Sequence, residues 1–111
     1  MKLTSLSELP ELSVSHNREI KKKVMLKPGE LPNLINFAQA TFAPGQVARA
    51  HFHHDMCEVF FVEAGEGIIQ INDRTYPLKQ GSCVAVEPGE VHEIVNNGST
   101  NLILTYFGLK V

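Results

Sequence analysis

Turn signals recur through this chain at strand-length intervals, and that spacing limits its fold more than any other feature. The clusters KPGELPN, APGQ, EAGEG, NDRT, KQGS, EPGE and NNGST combine glycine, proline, asparagine and aspartate. These residues supply positive φ angles or a preset φ, and so mark turns. Between them lie short runs rich in Val, Ile, Phe and Tyr: NLINFAQATF, EVFFV, GIIQI, CVAVE, HEIVN and NLILTYFGL. Such runs, with turns every eight to twelve or so positions, predict an all-β sandwich or barrel. No stretch sustains a helical period.

With 111 residues, no internal repeat and no composition break, the chain reads as one domain with a modest core. The barrel domain is expected over residues 16–111, after an N-terminal arm at 1–15. In the arm, Ser5-Leu6-Ser7-Glu8 fits a capping box and Pro10 stops any helix, leaving a loose arm or one helical turn. Asn72-Asp73, between IIQI and YPL, predicts a tight hairpin, with Pro77 placing the second strand at an edge. Asn96 to Ser99 predicts a second hairpin.

An apolar fraction of 43% excludes a disordered chain, and no run approaches the roughly 20 residues of a membrane helix. The first residues carry no signal-peptide pattern. A net charge of −2 argues against nucleic acid as a partner. The basic run REIKKK reads as a solvated strand or sheet edge. Cys57 and Cys83 read as free thiols in a reducing, cytoplasmic setting, although spacing does not exclude a disulfide between them.

The stretch HFHHDMCEVFF, residues 51–61, carries the chemistry. On a strand, His51 and His53 share a face while His54 turns away. HDM reads as a short turn, and Glu58 on the returning strand would lie opposite the histidine pair. A further ligand has to come from His92 or His16, the other histidines of the chain. His16, in a polar N-terminal region, reads as incidental. Imidazole nitrogen with carboxylate oxygen suits a first-row transition ion, and the lack of cysteine among these groups points to an open site rather than a closed structural one.

The wider spacing resembles the cupin superfamily. Its first motif is met over residues 45–65 by Gly45, His51, His53, Glu58 and Gly65. The second is met over 81–96 by Gly81, Gly89, His92 and Asn96, with fifteen residues between the two motifs. The family's proline position is Glu87 here, with Pro88 beside it, as if the turn were kept with its proline moved by one. The resemblance implies a double-stranded β-helix, or jelly-roll barrel. It implies His51, His53, Glu58 and His92 as ligands of one divalent Fe, Mn, Ni, Zn, Cu or Co ion, and a small-molecule ligand. The related activities include dioxygenases, isomerases and decarboxylases.

Strand alternation adds expectations about the pocket. Phe60 and Val62 follow Glu58 on its face, and Ile94 and Asn96 follow His92. Arg49 precedes His51 and, if it faces inward, would grip an anionic substrate. Gln39 and Gln70 have weaker claims to the pocket. Phe37, Phe42, Phe60, Phe61, Tyr106 and Phe107 read as core. Cys57 should face away from the ligands. The reading is a metal-dependent enzyme acting on a small carboxylate or dicarbonyl compound, or alternatively a non-catalytic ligand- or metal-binding module. A homodimer is expected, with REIKKKVML as a strand offered to a neighbour's sheet.

Overall fold

A computed structural model describes all residues, 1–111. Ten strands account for the regular structure: β1 (Leu12–Val14), β2 (Asn17–Leu26), β3 (Leu34–Phe42), β4 (Val47–His51), β5 (Met56–Ala64), β6 (Gly67–Ile71), β7 (Arg74–Leu78), β8 (Cys83–Val86), β9 (His92–Val95) and β10 (Leu102–Lys110). A 3₁₀ turn at Leu6–Glu8 is the sole helical element, and no helix is long and apolar enough to cross a membrane.

Two antiparallel sheets face each other, in the orders β1-β2-β3-β10-β5-β8 and β4-β9-β6-β7. This is the double-stranded β-helix, or jelly roll. Alternation along the strands fills the space between the sheets. Ile20, Ala40, Phe42, Phe60, Val62, Ile69, Ile94, Leu102 and Leu104 are buried there in one cluster. The arm does more than the sequence implied. Residues Leu12–Val14 form β1 and pair with β2, so the sheet begins inside the expected arm. Within REIKKKVML, Lys21 and Lys22 have β1 on one side and β3 on the other, whereas Val24 and Leu26 pair with β3 alone.

Four of the turns share one device. In Lys27–Glu30, Ala43–Gln46, Lys79–Ser82 and Glu87–Glu90, the last residue's N–H bonds to the first residue's carbonyl. In each, the last residue's side-chain oxygen also accepts the first residue's N–H, at 2.8 to 3.0 Å. The third residue is a glycine at φ 85° to 90°, the left-handed angle a type II turn requires. Glu87-Pro88-Gly89-Glu90 thus keeps the turn with its proline in the second position. The two-residue hairpin at Asn72-Asp73 forms as expected, and Pro77 lies on β7, an edge strand.

The second expected hairpin does not form. The stretch 96–101 carries the chain from the four-stranded sheet to the six-stranded one. Asn96 is fully buried and organises this crossing. Its Nδ2 donates to the carbonyls of Phe42 and Thr100, and its Oδ1 accepts from the N–H of Gly98. Its backbone bonds to Gly45 and Gln46. The side chain is consumed by these contacts and does not line the cavity described below.

Asn96→Ala would leave two buried carbonyls and one N–H unpaired. We expect a loss of about 2–4 kcal/mol in urea unfolding, with little change in the secondary structure seen by circular dichroism.

Candidate metal centre

His51, His53, Glu58 and His92 converge, their ligand atoms all lying within 4.8 Å of one another. Each arrives by a different route. Glu58 sits on β5 between Gly108 of β10 and Val86 of β8, with Phe60 and Val62 following on the same inward face. His92 opens β9 opposite both His51 and Ile71. Asn72 fixes that start: its N–H donates to the Val91 carbonyl and its Oδ1 accepts the Val91 N–H at 3.1 Å. His53 lies just beyond β4, and its carbonyl accepts the Gly89 N–H at 2.7 Å. That bond ties the two motifs together.

His51 owes its inward direction to a β-bulge. Ala48 pairs with Ile94 and His51 with His92, so Arg49 and Ala50 together oppose Glu93 alone. The Glu93 carboxylate accepts the Ala50 N–H freed by the bulge. Ala48 and His51 therefore both line the cavity, while Arg49 is exposed and outside it. The expectation that Arg49 faces inward assumed unbroken alternation, and the bulge removes that basis.

His16 also departs from expectation. It sits in the turn between β1 and β2, and its ring stacks on His51 at 3.5 Å between centroids and 13° between planes. It is thus part of the site's wall. His16 is not among the four groups whose ligand atoms converge. His16 covers the cluster without joining it. Its position depends on β1 pairing with β2, which no local sequence signal announced. His54 packs on Phe52, away from the cluster.

The cavity above these groups holds about 170 Å³ and is mostly apolar, walled by Phe42, Phe60, Ile94, Leu104 and Tyr106. Tyr106 stacks on Phe60, with 5.7 Å between centroids. Asn36 also lines it, at positive φ in a bulge of β3 that the sequence did not reveal. Of the aromatic residues read as core, Phe42 and Phe60 are buried, whereas Phe61 is exposed on the outer face. Gln39 bonds to Glu63, and Gln70 to the Asn72 carbonyl, both away from the cavity. Cys57 and Cys83 are free thiols.

Electrostatics couple the cluster. Glu58 Oε1 lies 3.1 Å from His92 Nε2 and 3.2 Å from His53 Nε2. Burial alone would raise the Glu58 pKa, but the His92 hydrogen bond and the neighbouring histidines outweigh it and hold the carboxyl below its usual range. Burial opposes charge on His92 too, yet its bonds to Glu58 and to the Glu90 carbonyl raise its pKa. His51, desolvated and beside other histidines, is pushed down to about 4. His16 is lowered by burial and by His53.

The donor set fits a transition ion. Nδ1 of His51 donates to the Arg49 carbonyl at 2.7 Å, and Nδ1 of His92 to the Glu90 carbonyl at 3.0 Å. Both Nε2 atoms therefore face the cluster, the orientation that ligating histidines adopt. With bonds of about 2.1 Å, neighbouring ligand atoms around an octahedral ion stand about 3.0 Å apart. Two pairs already stand near that separation, at 3.1 and 3.2 Å, and the whole set lies within 4.8 Å.

A barrel with three histidines and a carboxylate gathered beneath a small apolar cavity defines a class of compact metal-site β-barrels. A model of the cupin domain matches residues 38–108, and the chain belongs to that family. An oxalate-binding protein from Thermotoga maritima is 33% identical over 66 residues, 60% of this chain and 54% of that protein. The alignments thus span about half the length of the curated relatives matched. The crystal structure of a predicted oxalate decarboxylase from Thermotoga maritima superposes with a TM-score of 0.91 at 24% identity, covering 98% of this chain and 99% of the other. A polyketide cyclase from Streptomyces resistomycificus superposes at 0.83 and 17% identity, covering 99% and 79%. At such identities the two structures speak to the fold.

The lowered pKa of His51 gives a pH dependence for the metal-free protein. Stability carried by a neutral His51 is fully present above the unfolded value of about 6.5. It is lost as pH falls toward the folded value of about 4. Thermal melts should show His51→Asn losing less stability than wild type between those two pH values.

Proposed function

We propose that this chain holds one divalent transition ion on His51, His53, Glu58 and His92, and takes a small carboxylate or dicarbonyl compound of the oxalate class beside it. The reading rests on one observation, the convergence of those four ligand atoms at the base of a cavity of about 170 Å³. A cavity of ~150 Å³ accepts a molecule the size of benzene, so a six-heavy-atom dicarboxylate fits this scale. The name of the oxalate-binding relative points to the same chemistry. Iron, manganese, nickel, zinc, copper and cobalt all suit the donors.

A bound ion supplies Lewis acidity toward the ligand's oxygens. The chain's own groups do the rest. His51 and His92 present Nε2 through their Nδ1 bonds. Phe60, Ile94 and Leu104 keep water from the ligand's flank. Tyr106, pushed up to about 12 by burial and by the Glu58 charge, keeps its proton throughout the neutral range. Dioxygenase, isomerase or decarboxylase chemistry is the first reading. Non-catalytic binding is the second, favoured by one fact: the only carboxyl lining the cavity, Glu58, is one of the four converging ligands, so no free carboxyl stands beside them.

Metal analysis of untagged protein should find about one ion per chain, with His53→Ala lowering the content and His54→Ala leaving it unchanged. Calorimetry should show oxalate binding to the loaded protein and not to the stripped form. Equal binding by both would sink the reading. Formation of carbon dioxide and formate from oxalate would separate catalysis from binding alone.

We also place the working protein as a cytoplasmic homodimer, without nucleic acid or membrane as partners. The free thiols suit a reducing compartment. The outer face of the six-stranded sheet leaves Phe61 and Leu109 exposed beside Val59 and Phe107, an apolar surface suited to a second copy. Light scattering at micromolar concentration should give about twice the monomer mass, and Phe61→Glu should shift it toward one.

A further inference from the structure

Lys22 stands apart among the charges of this chain. It is the middle lysine of a run of three, on a strand whose alternation separates them. Lys21 is exposed, and Lys23 donates from Nζ to the Leu6 carbonyl at 3.2 Å. Lys22 shares the inward side with Ile20, pairs with Ala40, and lines the cavity. It is the only lysine or arginine to do so. None of the protein's ion pairs involves it, and its side chain makes no hydrogen bond. A cation beside an apolar cavity, with no carboxylate of its own, is suited to an anionic ligand.

His16 lines the same cavity, against the cluster. Its ring stacks on His51 and approaches His53 edge-on at 6.4 Å. Ser15 completes this side of the cavity. All three residues come from β2 and the turn before it, so one hairpin supplies these polar groups.

We infer that Lys22, with His16 beside it, is the specificity-determining end of the cavity and binds the ligand's second carboxylate. This rests on the metal-dependent binding proposed above and deepens it. The ligand would be dianionic: one part reaches the histidine–glutamate cluster, and the remaining carboxylate oxygens meet the Lys22 ammonium. The role that sequence alternation offered to Arg49 falls instead to Lys22, from a strand on the other sheet.

The test compares oxalate with oxamate, its near-isostere carrying an amide and one charge fewer, by calorimetry on metal-loaded wild type, Lys22→Met, Lys22→Arg and Arg49→Ala. Lys22→Met should weaken oxalate about tenfold or more, and oxamate by much less, with metal content unchanged. Lys22→Arg should keep most of the oxalate affinity, and Arg49→Ala should match wild type. Should Lys22→Met not fold, Lys22→Gln carries the same comparison. Equal weakening of both ligands, no weakening of either, or loss of metal from the variant would overturn the inference while leaving the metal-dependent reading intact. Failure of loaded wild type to bind either ligand would overturn both.

Discussion

A carboxylate in an apolar cavity must find positive charge or hydrogen-bond donors, and Glu58 finds both in His53 and His92. Unpaired, it would either cost several kcal/mol or take up a proton. Much of the architecture exists to make that pairing. β5 is held between β8 and β10, and β9 is fixed at its start by Asn72. Gly89 hands its N–H to the carbonyl of His53. Against the cost of burial on both, the histidines lower the pKa of Glu58, and Glu58 raises that of His92.

The rigidity of the site comes from turns as much as from the core. The clipped turns Ala43–Gln46 and Glu87–Glu90 lie just before β4 and β9, which carry His51 and His92. Each satisfies its own backbone groups, so the strands leave at set angles without help from solvent. Gly65, at φ 80°, serves the end of β5 differently: an added Cβ would lie 2.2 Å from the Asn101 carbonyl oxygen, so only glycine fits.

Much of this was legible in the residues. The turn clusters and the β-rich runs between them identified most of the strands, and the two spaced motifs named the four residues that meet. What escaped shares a physical cause, since period-two alternation is a rule about uninterrupted strands. The bulge at Arg49-Ala50, held by Glu93 from β9, reverses the side on which Arg49 lies, and a contact 43 residues away in sequence leaves no local trace. His16 and Lys22 were hidden for a related reason. Their place at the cavity follows from β1 folding onto β2 and β2 onto β3, and a polar run beside a loose-looking arm gave no apolar pattern to reveal it. The 96–101 crossing reads locally as a hairpin because asparagine and glycine serve both purposes. Only the partners of the buried Asn96 distinguish them.

The position of β10 has a consequence for how the protein is made. This strand runs between β3 and β5, pairing Leu109 with Leu34 on one side and with Cys57 on the other. During synthesis, β3 and β5 emerge long before their shared neighbour, and neither can complete its ladder until residues 102–110 have left the ribosome. The nascent chain therefore carries Glu58 on a strand that lacks its β10 neighbour until the last of the ten strands is made. Contacts of such long sequence separation also form slowly. A chain stalled before that strand would leave the facing edges of β3 and β5 unpaired.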